Sequence, residues 1–207
     1  MQAIASAPRH TPQPGDHDWT QTGITNKKLG MWAFLASECL FFGALITTYL
    51  LYRTRGAPGS RPIDVFDIPF TSVSSFVLLM SSLTMVLALA AIQRGDQRRL
   101  RIWLLATAVL GMLFISGQVY EFTAFTNHDP AVNLSSSVAA SAFFVATGFH
   151  GVHVTVGILW LLSLVGMSLR GEIPPERHLE IEIGGLYWHF VDIVWIVIFT
   201  VVYLVPV

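Results

Sequence analysis

Five stretches of this chain are almost free of polar residues, and the segments between them are dense in Gly, Pro and charge. The apolar runs cover residues 29–52, 70–92, 102–122, 138–169 and 185–205. A helix of about 20 apolar residues crosses the hydrocarbon core of a bilayer. Each run reaches that length, so the pattern predicts five transmembrane helices and an all-α, polytopic membrane bundle. The fourth run exceeds what a span needs and is expected to tilt or project. The breaks are GAPGSRPIDVFDIP, RGDQRRLR, TNHDPAVNLSSS and the connector Arg170–Glu182 with its Pro174–Pro175 pair, where Gly and Pro interrupt any helix. No internal repeat is visible. Residues 1–28 read as a polar N-terminal tail without the apolar core of a secretory signal. His10 and His17 in that tail are too sparse to argue a metal site.

Composition agrees with the pattern. Hydrophobic residues make up 53% and charged residues only 12%, where ordinary soluble domains carry about 25% charge. Mean hydropathy is +0.59. The net charge of −1 points to no nucleic-acid partner. Cys39 is the single cysteine and lies within the first span, which excludes an internal disulfide and a Cys-pair metal site.

Positive charge sets an expected orientation. With five spans, the tail, the Arg94–Arg101 turn and the Arg170–Glu182 connector share one side and hold nine of the 12 Lys and Arg residues. Only Arg53, Arg55 and Arg61 lie on the other. The positive-inside rule then places the N-terminus in the cytoplasm.

Polar side chains inside the spans are the candidates for chemistry, because an ionisable group in hydrocarbon costs about 2.5–3.5 kcal/mol on insertion scales. Asp192 should therefore face protein or water. Helical rise puts Glu38 ~13 Å and Asp192 ~10 Å from the cytoplasmic side, so these two and His189 are expected in one half of the bundle. They can hold protons, anchor a lipid headgroup, or join helices as neutral hydrogen-bonding groups. His150 and His153 stand three apart on the fourth span. Side chains so spaced project the same way and cannot ligate one haem from opposite faces. His153 lies ~24 Å from the cytoplasmic end of its helix, too far from the depth of His189 for a bis-His site. A zinc site lacks its third ligand, which leaves a packed, hydrogen-bonded His pair. Gly148, Gly151 and Gly157 beside them permit close helix contact. Tyr120 reads as an interfacial anchor and Glu121 as a solvated helix-end charge. Arg94, Arg98 and Arg99 can clasp anionic lipid headgroups, and Trp188 is taken with them as a lipid contact.

Five segments carry a family resemblance: SECLFF (Ser37–Phe42), RGDQRR (Arg94–Arg99), GQVYEF (Gly117–Phe122), SAFFVATGFHGVHVTVG (Ser141–Gly157) and GLYWHFVDIVW (Gly185–Trp195). In this order and spacing, from about residue 29 to the end, they resemble subunit III of the haem-copper terminal oxidases, in its short five-span form. The resemblance implies a non-catalytic subunit that binds no cofactor of its own. Haem and copper belong to subunits I and II, its expected partners in a hetero-oligomer of the bacterial cytoplasmic membrane. It further implies packing on subunit I, phospholipid binding and support of proton uptake. By position, Glu38 matches the family's intramembrane glutamate, and His150, His153, Glu182, His189 and Asp192 match its polar positions in the last two spans. Lipid placement transfers least safely, because the two missing spans form one wall of the lipid cleft. Glu38 in SECLFF favours the cytochrome c branch over subunit III of a quinol oxidase. A small proton-coupled membrane carrier is the alternative of another class, although no span has the broken helix that carriers' binding sites often use.

Overall fold

The structure is a computed structural model and describes residues 25–54, 67–127, 132 and 134–205. Its helices are α1 (Asn26–Tyr52), α2 (Ile68–Gln93), α3 (Gln97–Asn127), α4 (Val138–Leu169) and α5 (His178–Ile198), the last continued by a π-helical stretch, Phe199–Leu204. A 3-10 turn, Pro175–Arg177, leads into α5. All five are long and apolar enough to cross a membrane. The expectations for the tail before Thr25, His10 and His17 included, and for Arg55 and Arg61, lie outside the described residues.

Helices α2, α3, α4 and α5 form a closed ring, each packed on the next and α5 returning to α2. The ring has one apolar core, in which Trp188, Trp195, Phe114, Phe143, Leu104 and Met85 are buried. On α2 the buried positions are Thr71, Ser75, Leu78, Ser81, Met85, Ala88, Ala91 and Ile92, which follow the three-and-four spacing of one helix face. The opposite face shows Val73, Phe76, Leu83 and Val86 at the surface, as a lipid-facing helix does. Helix α1 sits outside the ring, docked mainly against α4 and α5. Only 11% of its apolar window is buried, against 50% for α5.

Two of the turns close in the same way. At the end of α2 the Gly95 N–H reaches Ile92 O and the Asp96 N–H reaches Ala91 O, with Gly95 at φ 74°. At the end of α4, Gly171 at φ 74° and Glu172 repeat this with Ser168 and Met167. Both are Schellman endings, where glycine takes a left-handed conformation that strains other residues. The two turns then meet. Gln97 donates to Ile173 O at 2.9 Å, and Arg101 bonds Ser168 through its hydroxyl at 3.0 Å and its carbonyl at 2.9 Å. Lys28 pairs with Glu182 at this same end, tying α1 to α5. Arg94, Arg98, Arg99, Arg101, Arg170 and Arg177 all lie here, so it is the arginine-rich end.

Helix bounds differ from the apolar runs in one consistent way. Helix α3 starts five residues before its run and α5 starts seven before. Hydropathy marks the stretch that lipid covers, whereas the helix continues wherever backbone bonds and caps are supplied. Asp96 caps α3 by accepting the Arg99 N–H at 2.9 Å, and Arg177 pairs with Glu180 in the first turn of α5. Asp192 lies ~21 Å along α5 and Glu38 ~18 Å along α1 from the helix starts, the added length lying outside the apolar runs.

Candidate functional site

Three positions along α4 are 300° of helix rotation, so His150 and His153 diverge by about 60°. That angle is enough to give them different neighbours. His150 points into the ring and is fully buried, its imidazole stacked on Trp195 at 5.0 Å and edge-on to Phe114 at 5.7 Å. Neither of its ring nitrogens has a hydrogen-bond partner among the described residues. The expectation of a hydrogen-bonded His pair is therefore corrected: the two imidazoles face different helices.

His153 points at α1. Its Nε2 lies 3.3 Å from Glu38 Oε2, and its Nδ1 lies 2.7 Å from the carbonyl of Phe149. Phe42 closes one side with its ring 5.2 Å away, and the Tyr187 hydroxyl donates to the His153 carbonyl at 2.9 Å. Both members of the Glu38–His153 pair keep 17% of their side chains exposed, and a groove of about 280 Å³ opens beside them between Met31, Phe34, Trp160 and Tyr187. The Phe149 carbonyl can only accept, so Nδ1 carries a proton. Nε2 and the Glu38 carboxyl then attract each other only when one further proton lies between them. The contact thus sets a carboxyl beside an imidazole at the junction of α1 and α4.

Glu38 does not join His189 and Asp192, contrary to the depth argument. Those two face α2. Asp192 is 5% exposed, and its Oδ2 accepts the Ser82 hydroxyl at 2.6 Å, while Oδ1 is buried without a partner among the described residues. His189 Nδ1 lies 3.3 Å from the same hydroxyl. Ser82 has one proton and gives it to Asp192, so the imidazole donates to the serine oxygen. Removing that hydroxyl strands the carboxyl: Ser82→Ala is expected to lower the stability of the purified protein by about 0.6–1.7 kcal/mol, from the average to the largest value for single hydrogen bonds between membrane helices. Adding Asp192→Asn to Ser82→Ala should then cost less than the sum of the two single changes, which denaturation in mixed micelles would measure. Strict additivity would mean that the contact contributes nothing.

The serines of α2 were not singled out by the sequence reading. Ser75 accepts from Trp195 Nε1 at 2.8 Å and Ser81 from Trp188 Nε1 at 2.9 Å. Together with Ser82 they form the polar row against which α5 lays its indoles and its carboxylate. The readable signal is the density of hydroxyls, seven within the 15 residues FTSVSSFVLLMSSLT. Trp188 is 1% exposed. Its expected role as a lipid contact is corrected, since an enclosed indole has no surface to offer a lipid. Glu121 is corrected as well. It is 5% exposed and accepts Thr71 Oγ1 at 2.8 Å and the Tyr203 hydroxyl at 3.1 Å, so it joins α2, α3 and the π-helical end of α5. Tyr120, one residue earlier, is 65% exposed. Glu182 is engaged by Lys28. Arg99 contacts Asp96 at 3.2 Å, whereas Arg94 and Arg98 are exposed. Among the described residues no three His, Cys, Asp or Glu side chains converge as a metal site would require.

Comparison with known proteins gives a consistent family. The sequence model described as "Cytochrome c oxidase subunit III" matches residues 12–206. Quinol oxidase subunit 3 of Bacillus subtilis (strain 168) is 37% identical over 185 residues, 89% of each chain. Cytochrome c oxidase subunit 3 of Alkalihalophilus pseudofirmus is 37% identical over 182 residues, 88% of each chain. Cytochrome bo(3) ubiquinol oxidase subunit 3 of Pseudomonas aeruginosa is 35% identical over 193 residues, 91% of this chain and 90% of the relative.

Proposed function

This chain belongs to the cytochrome c oxidase subunit III family, and from that premise we propose how it serves a respiratory haem-copper oxidase. It packs against subunits I and II, which hold the haem and copper, and supplies no redox centre itself. It lies in the bacterial cytoplasmic membrane with the arginine-rich end in the cytoplasm, following the nine-to-three division of basic residues. Phospholipid fills part of its surface. The observation that carries this reading is the family match over nearly the whole chain. The Glu38–His153 contact adds a proton-holding pair at the edge of the bundle, suited to supporting proton uptake by the neighbouring subunit. Cytochrome c is the electron donor in this reading, argued from Glu38 in SECLFF. Relatives named for quinol and for cytochrome c stand at equal identity, so similarity does not favour the quinol alternative.

Isolation through a tag on this chain tests the reading directly. The expected preparation contains haem-bearing subunits in fixed proportion and consumes oxygen with reduced cytochrome c. A chain that purifies alone, free of haem absorbance, would support the small-carrier alternative instead. A complex that accepts only quinol would move the protein to the other branch.

A further inference from the structure

The tight α2–α3 turn leaves a groove of about 430 Å³ at the arginine-rich end, with Ala90, Ala91, Ile102 and Trp103 as its floor and Arg94 and Arg99 at its mouth. The depression exists because two alanines on α2 face two bulky side chains on α3. Arg94 is the cap residue of α2 and Arg99 lies in the first turn of α3, so the Schellman turn brings both arginines to the lining of one groove. Asp96 also lines the mouth, but its carboxylate is occupied: Oδ1 accepts the Arg99 N–H at 2.9 Å and Oδ2 lies 3.2 Å from Arg99 Nε. The terminal nitrogens of Arg99 stay available. The Arg94 side chain has no ion pair or hydrogen bond with the described residues and is exposed. From the groove, two lipid-facing ridges run into the membrane, Leu79, Leu83 and Val86 on α2 and Leu105, Val109 and Met112 on α3. From Ala90 to Leu79 the α2 ridge covers ~16 Å of helix, about half the ~30 Å hydrocarbon thickness.

We propose that this groove binds one anionic phospholipid, its phosphate between Arg94 and Arg99 and an acyl chain over Ala90 and Ile102 along the ridges. The inference deepens the reading of this chain as a lipid-binding subunit and rests on it. The occupant follows from two features side by side: cationic donors at the membrane surface, and an apolar track as long as one leaflet. A free phosphate would use only the first. Trp103 takes the place that the sequence reading gave to Trp188.

The test uses the intact oxidase complex in nanodiscs of phosphatidylcholine with increasing phosphatidylglycerol, with bound lipid counted by native mass spectrometry. Two variants are compared with the parent: Arg94→Ala/Arg99→Ala, which removes the charges, and Ala90→Phe, which fills the floor and leaves both arginines. Each basic residue near the surface is worth about fivefold in affinity for anionic lipid, so the double variant should lose roughly 30-fold in preference for phosphatidylglycerol. Ala90→Phe should release the same single lipid despite its intact charges. Haem content and subunit ratio of the parent complex report separately on membership of the oxidase, so failure of that reading is distinguishable. Equal lipid counts in all three proteins would overturn the site. So would retention of phosphatidylcholine as firmly as phosphatidylglycerol by the parent. Loss of a neighbouring subunit from both variants, with the parent groove shielded from lipid-borne photocrosslinkers, would assign the groove to a protein interface instead.

Discussion

Trp188→Ala destabilises the bundle by about 3 kcal/mol, at the low end of the range for truncating a buried aromatic. The low end applies because lipid is as apolar as the core, so the loss is of packing rather than of burial from water. The indole reaches every helix of the ring from α5. Its Nε1 donates to Ser81 on α2 at 2.9 Å. Its ring lies over Gly111 on α3 and Gly157 on α4, where an added Cβ would come within 2.6 Å and 2.9 Å of ring carbons. Gly157→Ala and Gly111→Ala are therefore expected to destabilise by about 1–3 kcal/mol each through overpacking. Trp188→Phe should relieve part of the Gly157→Ala penalty, and the double-mutant cycle would show that coupling. Unfolding in mixed micelles measures the parent and each of these variants. A Trp188→Ala protein as stable as its parent would show that the slot between the two glycines is not what holds the ring together.

Glu38→Gln is expected to assemble normally, with the haem content of the parent complex, and then to lose activity several-fold faster during sustained turnover above neutral pH. The amide keeps the shape of the carboxyl and can donate to His153 Nε2, so the junction of α1 and α4 survives. What disappears is the ionisable carboxyl that stands 3.3 Å from His153 Nε2. Bulk protons become tenfold scarcer with each pH unit, so a local store matters most on the alkaline side. Oxygen consumption and proton release, followed together over many turnovers at two pH values, would show the decline and whether pumping falls first. Glu38→Ala provides the contrast, because it removes both the proton and the contact. If Glu38→Gln pumps and lasts like the parent while Glu38→Ala fails to assemble, Glu38 joins helices and holds no working proton.

Much of this protein was legible in the chain as written. The five apolar runs and the Gly- and Pro-rich breaks specify five membrane helices, because a bilayer demands about 20 apolar residues and an internally bonded backbone from any segment that crosses it. Those constraints are local, so a linear reading captures them. They also required Asp192 to face another helix, as it does toward Ser82. Which helix it faces is a different kind of fact. Glu38 meets His153 and not His189, Glu121 turns inward to Thr71 and Tyr203, and Trp188 is enclosed rather than lipid-facing. Each depends on the rotation of one helix against its neighbour. In a bilayer, hydropathy barely distinguishes the two faces, since lipid and core are equally apolar. On α2 the face is chosen by Ser75, Ser81 and Ser82, whose hydroxyls take their partners on other helices from α5. Gly111 and Gly157 choose it on α3 and α4, because only their bare backbones admit the indole of Trp188. The spans were thus decided by the solvent that each segment must cross, and the pairing of polar groups by helix packing that only the tertiary structure supplies.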